Sequence, residues 1–394
     1  MKRGPTGHFE ETTTAGVTVG AFVPDPLPPA PPLHLTGRTQ ELMDAALLAC
    51  GRLDGVSALL PEPELFLYAY VRREAVLSSQ IEGTQSSLSD LLLFELEGAP
   101  GAPFEDVVEV SNYVAALQHG ISRLREGFPL SGRLLRETHE ILLSRGRGAG
   151  KLPGEYRRTQ NWIGGTRPGN AAFVPPPPAR IAEAMAELER FIHDKSGMPA
   201  LVKAALAHVQ FETIHPFLDG NGRVGRLMIP LILHAAGILH QPLLYLSLYF
   251  KQHRAEYYRL LDAVRREGDW EAWIVFFLEG VSSTAGSAVD TAHRLLKLFE
   301  QDESRVRELG LGRSTVSVLQ VLAAMRQRPV ATIQDLSARA QMTVPTATKG
   351  IGALVEAGIA DELTGRKRNR AFAYRRLLET LNEGAQPLGA STRS

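Results

Sequence analysis

The sequence predicts a mainly α-helical protein, and three observations favour this fold class. Apolar residues recur at helical spacing from about residue 36 onward. One insert, residues 152–178, instead gathers glycines, prolines, aromatic and β-branched residues, which is typical of a small β-hairpin with an extended exit. Near the C-terminus, three helical segments are followed by two short apolar stretches around a basic turn. We therefore expect a helical core with one hairpin, and a separate C-terminal domain.

Length and composition exclude several classes of protein. The chain has 394 residues, which suits two or three domains. Its 43 basic and 43 acidic side chains balance, so composition gives no global signal for nucleic acid or acidic partners. The single cysteine, Cys50, excludes an internal disulfide framework and a cysteine-built metal site. No apolar run follows Lys2 and Arg3, so we expect no secretory signal and a cytoplasmic location.

One uncharged run, residues 227–250, approaches the length of a membrane span, which needs about 20 apolar residues. Pro230 and Gly237 interrupt the run, and arginines crowd its start. We expect one buried helix, a turn and a second apolar segment there, and no membrane partner.

Changes of composition along the chain predict its organisation. Six prolines lie between positions 24 and 32, and proline fixes φ and lacks a donor, so we expect an extended arm at the N-terminus. Helical regions follow, and the middle one contains the insert. The predicted segments are an extended arm at 1–35, an N-terminal helical region at 36–125, a helical core at 126–280, a helical connector at 281–312, a C-terminal domain at 313–382 and a disordered tail at 383–394.

The C-terminal domain has the layout of a winged helix. Helices are predicted over residues 315–325, 333–339 and 344–357, and a β-hairpin follows. This is a helix-turn-helix variant that often binds DNA. The turn of the hairpin carries basic residues suited to DNA phosphates, namely Arg366, Lys367, Arg368 and Arg370. The third helix offers only Lys349 for a strong contact, so DNA binding, protein contact and a homodimer all remain open.

One loop gathers the groups that phosphate chemistry requires. Its glycines allow tight turns, and the apolar run after it predicts a helix beginning near Asn221 or Gly222. A glycine-rich turn that enters a helix N-terminus binds anions. Arginines there oppose the helix dipole unless an anion compensates them. The loop reads His215-Pro-Phe-Leu-Asp219-Gly-Asn221-Gly-Arg223-Val-Gly-Arg226.

Two further side chains of this loop suit the same chemistry. Asp219 is its one acidic residue and could hold Mg²⁺ between phosphates. His215 is a candidate general base. Together with Arg223 and Arg226, they supply the parts of phosphoryl or nucleotidyl transfer.

The loop resembles the signature of the Fic family at every specified position. With about eight such positions, a chance match is on the order of 10⁻¹⁰ per site. The resemblance implies that His215 deprotonates a protein hydroxyl, which attacks the α-phosphorus of ATP and expels pyrophosphate. It implies that Asp219 ligates Mg²⁺. The implied phosphate ligands are Asn221 and the backbone of Gly220 and Gly222 for the α-phosphate, and Arg223 and Arg226 for the β- and γ-phosphates.

The same resemblance leaves the transferred group open. The related Doc kinases usually carry lysine where this chain has Gly222, so glycine favours adenylyl over phosphoryl transfer. Phosphocholine transferases share the histidine loop.

Residues 154–160 and 173–178 resemble the flap of the family. Trp162 and Ile163 suit contacts with adenine or a docked target strand as well as core packing, and Tyr257 and Tyr258 stand where the family often contacts the nucleoside.

A second motif resembles the inhibitory helix of Fic proteins. Ser78 and Glu82 are four residues apart, so they share a helix face, and Gly83 follows as the C-cap. A glutamate in the last helical turn faces the negative end of the dipole unless a cation compensates it. The resemblance implies that Arg226 is this cation, and that the pair blocks the γ-phosphate.

Two classes of function follow from these residues. The first is a self-inhibited protein adenylyltransferase that uses ATP and Mg²⁺ on an unknown target protein, with removal of AMP as a variant. The second is a nucleotide-sensing winged-helix transcription regulator. The intact His215 and Asp219 favour the enzyme, because a pure sensor needs neither.

Overall fold

The computed structural model describes residues 1–14, 16–59, 63–97, 104–241, 243–365 and 369–383. Part of the predicted basic turn, Arg366, Lys367 and Arg368, lies outside the described residues. So does the predicted tail beyond residue 383.

The first element is a β-hairpin that the composition of the N-terminal segment does not predict. Strand β1, Gly7–Thr14, pairs antiparallel with strand β2, Val17–Pro24. Residues 7–24 of the predicted extended arm therefore form a paired β-hairpin. The prolines that suggested it begin at residue 24, whereas the strands are rich in Thr, Val and Phe, which favour a pleated sheet.

The N-terminal helical region contains four helices. They are α1 Arg38–Leu59, α2 Pro63–Ile81, α3 Leu88–Glu97 and α4 Phe104–Arg125. Two local signals place the end of α2 and the start of α3. Gly83 follows α2 with φ +104°, and Ser87 and Asp90 form the capping box that opens α3, with Asp90 N–H donating to Ser87 Oγ at 3.2 Å.

The core is built from seven helices around the insert. They are α5 Gly132–Leu142, α6 Pro178–His193, α7 Ala200–Ile214, α8 Asn221–Ala235, α9 Ser247–Gln252, α10 Arg254–Glu267 and α11 Trp270–Glu308. In the insert, the predicted hairpin reduces to a single β-bridge between Ile163 and Phe173 among the described residues. Its many glycines and prolines leave little backbone for a ladder.

Helices α7 and α8 form the centre of this core and position the loop between them. Nearly every residue of both helices is buried. His208 ties the centre together, because its Nδ1 lies 3.0 Å from the Gly225 carbonyl and its Nε2 lies 2.9 Å from the Tyr257 hydroxyl. Trp273 adds a further tie by donating to the Ala205 carbonyl at 2.9 Å. The loop that joins α7 to α8 is therefore held at both ends by buried helices.

Helix α11 spans the predicted boundary between the helical core and the connector. It runs without a break through residues 280 and 281, where the core was expected to give way to a connector. Helix α1 packs along it. Within the part of the chain that the structure describes, α11 alone is long and apolar enough to cross a membrane by length and composition, with 56% of the tested window buried. A buried core helix passes the same test.

The C-terminal region combines helices with a three-stranded sheet. Its elements are α12 Ser314–Gln327, β3 Val330–Thr332, α13 Ile333–Arg339, α14 Val344–Glu356, β4 Ala360–Glu362, β5 Ala371–Tyr374 and α15 Arg375–Asn382. The sheet has the order β3-β5-β4, and both pairs are antiparallel. Arg73 of α2 donates to the Glu383 carbonyl, so this region rests against the N-terminal helices.

Candidate active site

The loop between α7 and α8 begins and ends in left-handed backbone. His215 ends α7 with φ +50° and ψ +59°, and its N–H donates to the Phe211 carbonyl at 2.9 Å. Gly220 precedes α8 with φ +76°. A positive φ is unfavourable for a residue with a side chain, so neighbouring contacts must hold His215 in place.

Asn221 closes this loop from inside. Its Oδ1 accepts from the Phe217 N–H at 2.8 Å, and its Nδ2 donates to the Phe217 carbonyl at 2.8 Å. The residue is 2% exposed. Both ends of the amide therefore have a partner within the loop, and the expected contact of this side chain with an α-phosphate stays a prediction. A polar residue beside an anion site suits either role by type, so the sequence could not distinguish them.

His139 of α5 supports the loop from the other side. The Gly154 N–H donates to its Nδ1 at 2.9 Å, so we infer that the proton lies on Nε2, which donates to the Asp219 carbonyl at 3.0 Å. The ring stacks on Phe217 with centroids 3.7 Å apart. Burial lowers the pKa of His139 to about 4, so the ring is neutral at physiological pH. His139 could not be predicted from the sequence, because alone it is an ordinary residue of an amphipathic helix.

The N-terminus of α8 offers free donors. An α-helix leaves its first N–H groups without an intrahelical partner, and α8 has no side-chain cap at Gly220. The predicted start of this helix at Asn221 or Gly222 is confirmed. These N–H groups and the helix dipole favour an anion.

The two arginines of α8 already have negative partners within the chain. Arg223 lies 3.1 Å from Glu109 and 3.7 Å from Asp219. Arg226 lies 2.7 Å from Glu82. The anion that the sequence required beside these arginines is thus supplied by carboxylates. Glu109 of α4 had no local signal in the sequence.

The predicted pair of Glu82 and Arg226 is present, and Ser78 contacts Arg226 as well. Arg226 donates to Ser78 Oγ and to the Ser78 carbonyl, both at 2.9 Å, in addition to Glu82 Oε1. Burial opposes the charge of Glu82, but attraction and hydrogen bonding by Arg226 outweigh it, so the pKa of Glu82 lies below its usual value. Glu82 is therefore charged at physiological pH.

Gly222 leaves room for this ion pair. A Cβ at position 222 would collide with Glu82 Oε1 and lie 3.0 Å from Arg226 Nη1. A side chain here would displace the carboxylate. The ion pair of Glu82 and Arg226 therefore explains a glycine at position 222 whether the chain transfers an adenylyl or a phosphoryl group.

His215 is neutral in this environment. Burial lowers its pKa most, and Arg157 and Arg265 lower it further, to about 3, against a smaller opposite effect of Glu82. Its Nδ1 has no hydrogen-bond partner among the described residues. A neutral imidazole with a free nitrogen can accept a proton.

Asp219 stands at the exposed side of the loop. Its side chain is 43% exposed. Oδ1 accepts from the Gly220 N–H at 2.6 Å, and no hydrogen bond to Oδ2 is found within the described ranges. No group of three or more His, Cys, Asp or Glu side chains gathers for a metal in that part of the chain. One exposed carboxylate suits Mg²⁺, which binds through one or two carboxylates, phosphates and water.

The residues expected to contact the nucleoside or the target differ in their exposure to solvent. Tyr257 is 1% exposed and its hydroxyl contacts His208, so it packs in the core, and its expected contact with the nucleoside stays a prediction. Tyr258 is 40% exposed and close enough to Glu82 for the two to interact electrostatically. Trp162 and Ile163 are partly buried in the insert. Tyr258, Trp162 and Ile163 remain candidates.

The N-terminal hairpin extends the insert. The Phe22 N–H of β2 donates to the Val174 carbonyl at 2.9 Å. Phe22 also packs on Phe173, with ring centroids 6.1 Å apart, and Arg265 lies over the Phe173 ring at 4.0 Å. One edge of the insert is therefore already covered by the chain itself.

Comparisons with known proteins agree with this arrangement. Residues 40–122 match the family model described as the Fic/DOC family N-terminal region, and residues 129–233 match that of the Fic/DOC family. These two regions of the chain match the Fic/DOC family. The predicted resemblance is thereby confirmed.

Several similar proteins carry the name protein adenylyltransferase Fic. The protein adenylyltransferase Fic of Drosophila ananassae is 36% identical over 133 residues, which are 33% of this chain and 24% of that protein. The protein of the same name from Drosophila melanogaster is 35% identical over 133 residues, with shares of 33% and 24%. The chain thus spans about a quarter of the length of these relatives.

Two solved Fic structures have a similar fold. A Fic family protein from Desulfovibrio desulfuricans G20 has a TM-score of 0.57 at 21% identity and covers 92% of this chain and 99% of its own. A Fic domain containing signaling protein from Bacteroides thetaiotaomicron VPI-5482 has a TM-score of 0.52 at 20% identity, and covers 63% and 95%. At these identities the likeness shows the fold alone.

Replacing Asn221 tests the closure of the loop. Asn221→Ala leaves the buried Phe217 N–H without its acceptor, and such a loss costs about 1–3 kcal/mol. We expect the free energy of unfolding in urea to fall by that amount. The exposed Gln118→Ala is the control and should change it little. Equal stability of the two variants would contradict the closure.

Proposed function

We propose that this chain transfers adenylate from ATP to a hydroxyl group of a target protein. The observation that carries the proposal is a neutral base, His215, six residues before the uncapped N-terminus of a helix that bears two buried arginines. The base suits a protein hydroxyl, and the helix end suits a polyphosphate. The names of the Drosophila relatives support the choice of adenylate.

The residues divide the chemistry between them. His215 accepts the proton of the target hydroxyl while its oxygen forms a bond to the α-phosphorus. The bond from the α-phosphorus to the bridging oxygen breaks, and pyrophosphate leaves. The N–H groups at the start of α8 bind the α-phosphate, and Arg223 binds the outer phosphates. Asp219 would hold Mg²⁺, which supplies positive charge against phosphate oxygens when it is bound.

The same geometry supports self-inhibition. The Glu82 carboxylate lies against Gly222, so it competes with a phosphate for the positive end of α8. Arg226 cannot bind the γ-phosphate while it holds Glu82 and Ser78. ATP that enters beside this pair would be displaced from the position for in-line attack. Because α2 belongs to the same chain, this inhibition requires no second protein.

The C-terminal region supports a winged-helix assignment through its three helices and its sheet of order β3-β5-β4. Some of its described basic side chains are paired, such as Arg370 with Glu362 at 3.4 Å and Arg376 with Asp302 at 3.0 Å. Lys349 on α14 is exposed. DNA binding and protein contact both stay predictions. A homodimer, a cytoplasmic location and removal of AMP stay predictions.

The decisive experiment for the function is incubation of the chain with α-labelled ATP and a cell lysate. Label on a protein, removed by a phosphodiesterase as AMP, is the expected result. Label only from γ-labelled ATP would indicate a kinase. Nucleotide binding with no label on any protein, together with specific promoter binding, would favour the transcription regulator.

Removal of the base should abolish transfer and spare nucleotide binding. His215→Ala loses the proton acceptor, and loss of a general base costs about 10²–10⁴-fold in rate. Binding of ATP, measured by calorimetry, should change little because His215 acts on the acceptor. The exposed His240→Ala is the control. Self-labelling of His215→Ala near the wild-type rate would remove His215 from the mechanism.

Removal of the loop carboxylate should abolish the dependence on Mg²⁺. We expect Asp219→Ala to lose activity at every Mg²⁺ concentration of a titration, since it offers the one exposed carboxylate of the loop. Asp262→Ala, an exposed aspartate of α10, serves as the control. An unchanged titration curve for Asp219→Ala would place the metal ligand elsewhere.

Release of Arg226 should activate the enzyme. Glu82→Gly frees Arg226 for the γ-phosphate, and correct orientation of ATP should raise transfer roughly tenfold or more. The measurement is self-labelling with α-labelled ATP at equal concentrations of folded protein. The added change Arg226→Ala should remove the gain.

The chain offers a matched control for this experiment. Glu126 also ends a helix, precedes a glycine of positive φ and lies four residues after a serine, Ser122, whose hydroxyl it binds at 3.0 Å. It is 59% exposed. Glu126→Gly should leave transfer unchanged. Equal rates for Glu82→Gly and Glu126→Gly would defeat self-inhibition and leave the transferase assignment standing.

A further inference from the structure

Arg157 of the insert is a buried cation without a carboxylate partner among the described residues. It is 2% exposed. Burial lowers the pKa of its guanidinium to about 10. A buried and unpaired charge is unfavourable, so its contacts must compensate for lost hydration. The unfavourable free energy of this burial distinguishes Arg157 from a surface arginine such as Arg158, whose side chain is 78% exposed.

All hydrogen bonds of the Arg157 side chain go to backbone carbonyls. Nε donates to His215 at 2.9 Å, Nη2 to Pro176 at 2.6 Å and Nη1 to Thr159 at 3.3 Å. Its backbone N–H donates to the Pro216 carbonyl at 2.9 Å. A planar fork of donors suits three such acceptors, whereas a single ammonium group does not.

These acceptors belong to two functional parts of the molecule. His215 and Pro216 begin the loop, and Thr159 and Pro176 lie on the two arms of the insert. His215 holds a left-handed backbone that its residue type disfavours. Arg157 is therefore placed to fix that backbone and to hold the insert at a constant distance from the base.

We propose that Arg157 is a positioning residue that orients the His215 base and joins it to the insert. This inference rests on the proposed role of His215 in transfer. Arg157 needs no contact with ATP for this role, since it acts through the backbone of the loop.

The charges around His215 affect its pKa, which gives a second way to test the proposal. Arg157 approaches from the insert, Arg265 from α10 and Glu82 from α2, while Glu212 of α7 offers its backbone carbonyl. Burial lowers the pKa of His215 most, and Arg157 is the next cause. Loss of the Arg157 charge should therefore raise the pKa of His215 toward its ordinary value of 6.5. A purely structural loss would lower stability without this shift.

Two variants and one control test the proposal. Arg157→Gln removes the charge and most of the fork, Arg157→Lys keeps the charge and removes the fork, and Arg158→Gln changes the exposed neighbour. The pKa of His215 is measured by NMR on the full chain with labelled histidine and without ATP, assigned with His215→Ala. Transfer is measured as kcat and as the KM for ATP in the Glu82→Gly background.

We expect a distinct pattern for each variant. Arg157→Gln should raise the pKa of His215 by about one unit or more, and should move the acidic limb of the pH–rate profile upward with it. Its kcat should fall about tenfold to 10²-fold, the range for a misplaced catalytic group, while the KM for ATP stays within about twofold. Arg157→Lys should keep the pKa of His215 and lose part of kcat. Arg158→Gln should match its parent.

An unchanged pKa of His215 together with an unchanged kcat in folded Arg157→Gln would overturn the proposal. If Arg157→Gln does not fold, Arg157→Lys decides: a lower kcat at unchanged KM supports positioning, and the parental kcat overturns it. The NMR result also separates this proposal from the proposed function. A raised pKa in a chain whose Glu82→Gly form transfers no AMP would show that Arg157 acts on His215 and would refute the proposed transfer.

Discussion

Arg226 is buried in the second turn of α8, where desolvation opposes its charge. Burial alone would lower its pKa, yet Glu82 raises that pKa above its ordinary value. The position therefore requires an anion. The carboxylate of α2 and a phosphate can each satisfy the requirement, but both cannot occupy it together. The placement of α2 against α8, the glycine at 222 and the proposed inhibition all follow from this single constraint.

Sequence reasoning located the residues whose signals are local. Neighbours within one helical turn determine the start of α8 and the cap of α3. They also place Ser78 and Glu82 on one face of α2. Three contacts that hold the site in place could not be predicted from the sequence, because each joins segments that are far apart in the chain. They are Glu109 against Arg223, His139 against the Asp219 carbonyl and Arg157 against the His215 carbonyl. Taken alone, each is an ordinary helix or loop residue, so no periodicity or spacing could reveal it.

The two Ser-x-x-x-Glu-Gly segments of this chain show how much context adds to a pattern. Both end a helix before a glycine of positive φ, at Gly83 and Gly127. In the first segment, Glu82 faces a buried arginine of another helix. In the second, Glu126 is exposed and interacts within its own helix, with Ser122 and Arg123. The motif therefore supplies a carboxylate at a helix end, and only the element packed opposite decides whether this carboxylate can control a site.

The protonation states of the site are also properties of the fold. Burial lowers the pKa of His139 to about 4, and of His208 and His215 to about 3, so the unfolded chain binds more protons below pH 6.5 and acid weakens the fold. Burial raises the pKa of Glu74 and Glu212 to about 7, so their contribution is lost as the pH rises through 7. His215 is thus neutral at physiological pH, and the availability of the base depends on the same burial that builds the site.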